Sequence, residues 1–234
     1  MAAEAAAAAS VAGSSAQENI QQEESSSQEQ QQTTGETSRL TPQKQQQTAE
    51  NEEEEEVEEV TRLDVNAQEV DLTHHRLQKI EGLEGFHRLA TLVLRRNLLK
   101  EIENLDSLGA TLTHLDLYDN QITQISGLQA LVNLKELDLS YNRIRRIENL
   151  EQLTNLERLY LIHNKITVMQ GLSTLTNLKL LELGDNRIRT LEGIEKLTKL
   201  EKLFLGLNKI TKIQNIATLT QLHTLSMPQL QEEC

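Results

Sequence analysis

LKELDLSYNRIRRIENLEQLTN, residues 134–155, decides the fold because the same phrase returns along most of the chain. Its first half ends at Asn142. Matching phrases end at Asn97, Asn120, Asn164, Asn186 and Asn208: LATLVLRRN, LTHLDLYDN, LERLYLIHN, LKLLELGDN and LEKLFLGLN. The gaps between successive asparagines are 22 or 23 residues. One such unit carries an apolar stripe too small to be buried alone, so the units must stack on one another.

This period and grammar are those of leucine-rich repeats. The expected fold class is α/β: a leucine-rich repeat solenoid, a right-handed horseshoe with a parallel concave sheet and a 3₁₀ or short helical convex side. In the quoted unit, Leu137 and Leu139 alternate into the core, while Glu136, Asp138 and Ser140 are expected to point outward. Asn142 falls where the chain leaves the strand, and its amide carries both donors and an acceptor for unpaired backbone groups. Ile144, Ile147, Leu150 and Leu153, spaced by threes, suit a 3₁₀ or short helical return. Gly82, Gly127, Gly171 and Gly193 fall as single punctuation marks after that return.

Aligning the first core position gives Val70, Leu92, Leu115, Leu137, Leu159, Leu181, Leu203 and Leu225, or about eight strands. The array is irregular at both ends. His75 stands at the Asn position of the first unit, as expected of an atypical capping repeat. Leu230 stands there in the last, and Pro228 interrupts the strand exit. The last repeat is therefore expected to be incomplete and uncapped, with Leu219, Leu222, Leu225 and Met227 poorly covered.

Composition divides the chain near residue 60. Residues 1–60 carry 14 Glu against Arg39 and Lys44, a net of −12 out of the whole chain's −13. With almost nothing apolar to bury, this Gln/Glu/Ser-rich segment is expected to form a disordered acidic tail, either solvating or in contact with a basic partner. Residues 61–234 then form the repeat domain.

Several functions lose support at once. No stretch reaches the roughly 18 apolar residues of a membrane span, and the Ala run from Ala5 lacks the basic flank of a signal peptide. Cys234 is the only cysteine, so no internal disulfide is available. Nucleus and cytoplasm are the expected locations. The six histidines show no metal-ligand spacing, and the glycines form no phosphate loop, so neither metal nor cofactor is expected. Asp116, Asp138 and Glu182 share the concave column, but on an open sheet they are expected to face solvent and not to act as a catalytic pair. A noncatalytic protein is expected. A near-neutral repeat body with three Tyr, two Phe and no Trp offers little to nucleic acid. Arg143, Lys165, Arg187 and Lys209, each just after an Asn, are expected to form a solvated ion-pair ladder, with a stripe for phosphate or an acidic partner as the other reading.

What remains is the strand position held by Asp116, Asp138, Tyr160, Glu182 and Phe204. Aromatic groups interleaved with carboxylates on an exposed column are how protein interfaces concentrate binding energy. These five residues are the expected partner-binding site, and protein is the expected partner, with no nucleic acid, membrane or small-molecule substrate and a monomer before complex formation.

The phrases LDLYDNQI, IENLEQLTNLERLYL, LELGDNRIRTLEGI and LFLGLNKITKIQNI resemble the protein phosphatase 1 regulatory subunit 7 family, across roughly 64–227. The resemblance implies a noncatalytic subunit that holds the protein phosphatase 1 catalytic subunit on its concave face. It further implies a role in inhibition, maturation or targeting of that enzyme in the nucleus and in mitosis. The family's contact column maps onto Asp138, Tyr160, Glu182 and Phe204, with Tyr160 where the family commonly has Phe. The family's later repeats and cap have no counterpart after Met227, so a shortened form is expected. Seven gaps of ~4.8 Å by roughly 10 Å give a footprint of about 340 Å², against about 800 Å² for a stable complex, so binding is expected to be weak or regulated, or lost with the missing repeats. The alternative is a phosphatase-independent scaffold for cytoskeletal or chromatin proteins.

Overall fold

A computed structural model describes residues 64–227. The expected tail at 1–60, Pro228, Leu230 and Cys234 lie outside the described residues. Eight three-residue strands, β1 (Glu69–Asp71), β2 (Thr91–Val93), β3 (His114–Asp116), β4 (Glu136–Asp138), β5 (Arg158–Tyr160), β6 (Leu180–Glu182), β7 (Lys202–Phe204) and β8 (Thr224–Ser226), form one sheet in chain order. Every neighbouring pair is parallel, and the central residues meet without slip from Val70↔Leu92 through Leu203↔Leu225. A one-residue slip would turn each core leucine out to solvent. Leu137, Leu159 and Leu181 are fully buried, and so are the return-side positions Ile144, Ile147, Leu150 and Leu153.

Each buried Asn ties its coil to the one before. Asn164 Nδ2 donates to Leu161 O of its own coil (3.2 Å) and to Leu139 O of the preceding one (3.0 Å), and Asn164 Oδ1 accepts the Ile144 N–H (2.9 Å). The next coil repeats the arrangement: Asn186 reaches back to Leu161 O (2.9 Å) and accepts from Ile166 N–H (3.0 Å). The ladder therefore alternates side-chain amide and backbone carbonyl, and the asparagines do not bond one another directly. At the first coil, the ring of exposed His75 bonds only its own Thr73 O (3.0 Å).

The helical return is smaller than expected. Among the described residues there is no α-helix and one 3₁₀ helix, η1 (Asp106–Leu108). It lies in the 23-residue repeat, where seven steps separate core Leu105 from core Leu112 instead of the six between Leu150 and Leu156. The extra residue gives room for a helical turn. Elsewhere the return is a pair of separate turns, such as Leu153 N–H to Leu150 O and Leu156 N–H to Leu153 O, both 3.0 Å.

Two further sequence expectations are corrected. Ser140 does not point outward but is buried, because β4 ends at Asp138 and the chain has already begun to fold under, with the Ser140 N–H on Asp138 Oδ1 (2.8 Å). At the last coil Leu219 is buried, so only Leu222, Leu225 and Met227 remain partly covered.

The glycine punctuation has a steric origin. Gly171 (φ +72°) lies where a Cβ would come within 2.5 Å of Ile147 O. The same left-handed slot in other coils holds Asn104, Asn149 and Asn215, whose Nδ2 atoms donate to the equivalent carbonyls of Ile80, Ile125 and Leu191 at 2.7 Å. Gly171→Ala is expected to cost about 1–3 kcal/mol in urea unfolding, and Gly171→Asn distinctly less, since Asn tolerates this conformation and regains the carbonyl bond. Asn164→Ala, which orphans a buried N–H, is expected to cost about 3 kcal/mol.

Candidate functional site

The third residue of each strand from β2 to β7 is half-buried on the outer sheet face. The strand register places Asp116 beside Asp138, Asp138 beside Tyr160, Tyr160 beside Glu182, and Glu182 beside Phe204. The five side chains named from the sequence thus share one column, but their surroundings differ.

Asp116 is already engaged on both oxygens. Oδ1 accepts the Tyr118 N–H (3.1 Å), and Oδ2 meets Arg95 Nε at 2.5 Å. Arg95 also lies over the Tyr118 ring, 5.4 Å from its centre. Glu136, two residues before Asp138 on β4, is held by Arg158, with Nε at 2.8 Å and Nη2 at 2.7 Å. Asp138 gives Oδ1 to the turn at Ser140, and neither Asp138 nor Glu182 forms an ion pair among the described residues.

The sheet face is less wet than its openness implies. Burial raises the Asp138 carboxyl above its ordinary value, outweighing the hydrogen bonds from Ser140, and the Asp116 charge adds to the rise. Burial, followed by the Asp138 charge, also raises Glu182. The Tyr160 phenol, standing between them, is raised chiefly by burial and then by Glu136. Long side chains on adjacent strands, only about 4.8 Å apart, shield one another from water. The expectation that these carboxylates simply face solvent is corrected accordingly. Val93, Arg95, Asp116, Glu136, Asp138 and Tyr160 border a shallow depression of about 430 Å³ at the β2–β5 end of the column.

A second row was not foreseen. The residue before each turn Asn is left-handed: Arg96, Asp119, Tyr141, His163, Asp185 and Leu207 have φ between 52° and 57°. This conformation swings their side chains to the strand-exit rim. Tyr141 stacks on His163 (centroids 4.7 Å apart, planes 21°) and packs against Tyr118 (4.9 Å), while His163 Nδ1 meets Asp185 Oδ2 at 2.5 Å. Leu207, at the end of the row, is 77% exposed. A scan of the residue preceding each Asn would have found the row, since the period is the same.

The expected ion-pair ladder at Arg143, Lys165, Arg187 and Lys209 does not form among the described residues. Ion pairs lie instead on the sheet face, its rims and the strand-entry side, as in Arg95–Asp116, Arg158–Glu136 and Lys179–Glu157. After each Asn the chain alternates core and solvent positions, which aims successive cations outward with no acidic residue opposite them. His114, His163 and His223 face Glu136, Asp185 and Glu201 across coils, and among the described residues no three His, Cys, Asp or Glu side chains are grouped to hold a metal. Among the same residues, no helix is long and apolar enough to cross a membrane.

A family model of leucine-rich repeats in two copies matches residues 110–152 and 154–196. Among solved structures, internalin C2 of Listeria monocytogenes aligns with a TM-score of 0.63 at 31% identity, covering 70% of this chain and 74% of that one. A leucine-rich repeat protein of Leptospira interrogans aligns with a TM-score of 0.60 at 32% identity, covering 69% and 43%. The chain belongs to the leucine-rich repeat family. Among curated proteins, protein phosphatase 1 regulatory subunit 7 of Homo sapiens is 50% identical over 42 residues, 18% of this chain and 12% of that protein. The Bos taurus protein of the same name matches to the same extent. The matched stretch thus spans about one eighth of those relatives.

Asp138→Asn keeps an acceptor for the Ser140 N–H and removes the charge. The folded-state value of Asp138 lies above its unfolded value, so its ionisation favours the unfolded chain, and stability is lost as pH rises through the folded value. The variant is expected to melt higher than the parent at pH 7, with the difference closing as pH falls towards about 4. A variant melting lower at pH 7 would mean that the carboxylate is net stabilising.

Proposed function

We propose that this chain is a noncatalytic regulatory subunit that binds the catalytic subunit of protein phosphatase 1 through its sheet face, controlling that enzyme's activity, maturation or targeting. The observation that carries the reading is the contrast among the acids of the sheet face. Asp116 and Glu136 are neutralised from within, whereas Asp138 and Glu182 flank Tyr160 half-buried and without a cation among the described residues. Half-buried carboxylates gain most from a basic group that arrives with a partner and completes their desolvation, while Tyr160 and Phe204 supply the aromatic anchors. The 42-residue likeness to regulatory subunit 7 supports the choice of the phosphatase as that partner. The rim row of Tyr118, Tyr141 and His163 widens the face beyond the three-residue strands.

A second reading, a phosphatase-independent scaffold, rests on the shortness of that likeness and on repeat-fold neighbours with other names. One pair of substitutions separates the two. Tyr160→Ala with Phe204→Ala is expected to weaken association with purified phosphatase catalytic subunit by at least about 30-fold, in line with about 2 kcal/mol or more for aromatic hot spots, while the melting curve shows the repeats still folded. Unchanged affinity in a calorimetric titration would remove the sheet face from the interface. No association by the parent chain would leave the scaffold reading.

A further inference from the structure

The arcs that follow the turn asparagines of coils β4 to β7 form a basic strip. Arg143, Lys165, Arg187 and Lys209 occupy the same position in four successive coils, each fixed by its backbone N–H on the preceding coil: Arg143 on Ile122 O, Lys165 on Ile144 O, Arg187 on Ile166 O and Lys209 on Ile188 O, all 2.8 Å. Arg145, Arg189 and Lys212 stand exposed beside them. Residues 143–148, 165–170, 187–192 and 209–214 together hold eight Lys or Arg against Glu148 and Glu192. None of these cations enters an ion pair among the described residues, although Arg158 and Lys179 elsewhere on the same coils do. The strip is thus an ordered row of like charge, with eight cations against two acidic residues on four neighbouring arcs.

The sequence holds one acidic run of matching size. Residues 50–59 carry eight Glu and no basic residue. We propose that the strip on coils β4 to β7 docks the chain's own Glu50–Glu59 segment, as an intramolecular electrostatic clasp. The reach is sufficient. Glu59 lies five residues and Glu50 fourteen residues before Asp64, about 17 and 48 Å of extended chain. From β1, coil β4 is three spacings away and coil β7 six, about 14 and 29 Å along the stack. Single exposed ion pairs are weak and screened by salt, so the clasp depends on many of them and on the high effective concentration of a tethered segment. It therefore holds at low ionic strength and opens at high. A competing polyanion, such as an acidic partner segment or a nucleic acid, would have to displace it.

Zero-length carbodiimide coupling of the full chain, followed by mass spectrometry of the monomer fraction, tests the clasp. Glu50–Glu59 is expected to link to Lys165, Lys209 and Lys212 at least about tenfold more than to Lys135 or Lys199, which lie on the strand-entry side. The preference is expected to vanish at about 1 M salt, where screening reaches about 3 Å. It is also expected to vanish in the variant Arg143→Gln, Arg145→Gln, Arg187→Gln, Arg189→Gln, which retains every reactive lysine and changes only exposed side chains. Links without preference between the two lysine groups, links only between separate copies, links unaffected by the four substitutions, or no links at all would each overturn the proposal. So would retention of a single-stranded RNA or heparin probe by the parent chain with no gain in affinity when Glu52–Glu56 are all changed to Gln, since an occupied strip must be freed by that change.

Discussion

A single coil of this chain cannot satisfy its own backbone, and the buried asparagine is what resolves the deficit. Leu139 O, Leu161 O and the Ile144 N–H all lie where water is excluded. One amide, that of Asn164, serves all three at 2.9–3.2 Å. Each amide spans two coils, so satisfying one coil fixes the position of the next. Leucine burial supplies the driving force for stacking, but a hydrophobic contact is non-directional and tolerates sliding. The amide does not. It sets the registry in which every strand meets its neighbour without slip, and every surface column follows from that registry.

Once coils are locked in register, residue type at one position of the repeat becomes geometry along the whole stack. Identical spacing brings Asp138, Tyr160, Glu182 and Phe204 into one line on the sheet face, Tyr141 and His163 into a stacked row on the rim, and Arg143, Lys165, Arg187 and Lys209 into a strip past the turn. The three surfaces differ in how their charges are handled. Some rim and strand-entry charges, such as His163–Asp185 and Lys179–Glu157, are paired within the fold, whereas the middle of the acid column and the basic strip are left unpaired among the described residues.

The sequence made legible whatever depends on the period alone. Val70 through Leu225 as the core column, the turn asparagines, and the shared line of Asp116 to Phe204 all follow from a 22-residue count, because a solenoid converts sequence spacing directly into position. What the period could not show depends on conformation inside one unit. Ser140 obeys the alternation of a strand, yet the strand ends two residues earlier and the turn buries it. Gly171 and Asn149 look unrelated as letters but fill one left-handed slot, one by lacking a Cβ and the other by bonding the carbonyl that a Cβ would strike. The choice of partner for each charge was likewise illegible, since Arg158 reaches Glu136 across 22 residues and no local pattern distinguishes it from unpaired Arg143.

Native-state hydrogen exchange on the Leu99, Ile122, Ile144, Ile166 and Ile188 amides, each donating to an Asn Oδ1 of the next coil at 2.9–3.2 Å, tests the ladder most directly. If the amide ladder makes the coils one unit, these protons exchange only by opening of the whole array, with a common free energy close to that of global unfolding. Exchange of Ile144 or Ile166 through local opening, at rates matching the solvent-exposed turns, would contradict the account and with it the fixed registry on which every surface described above depends.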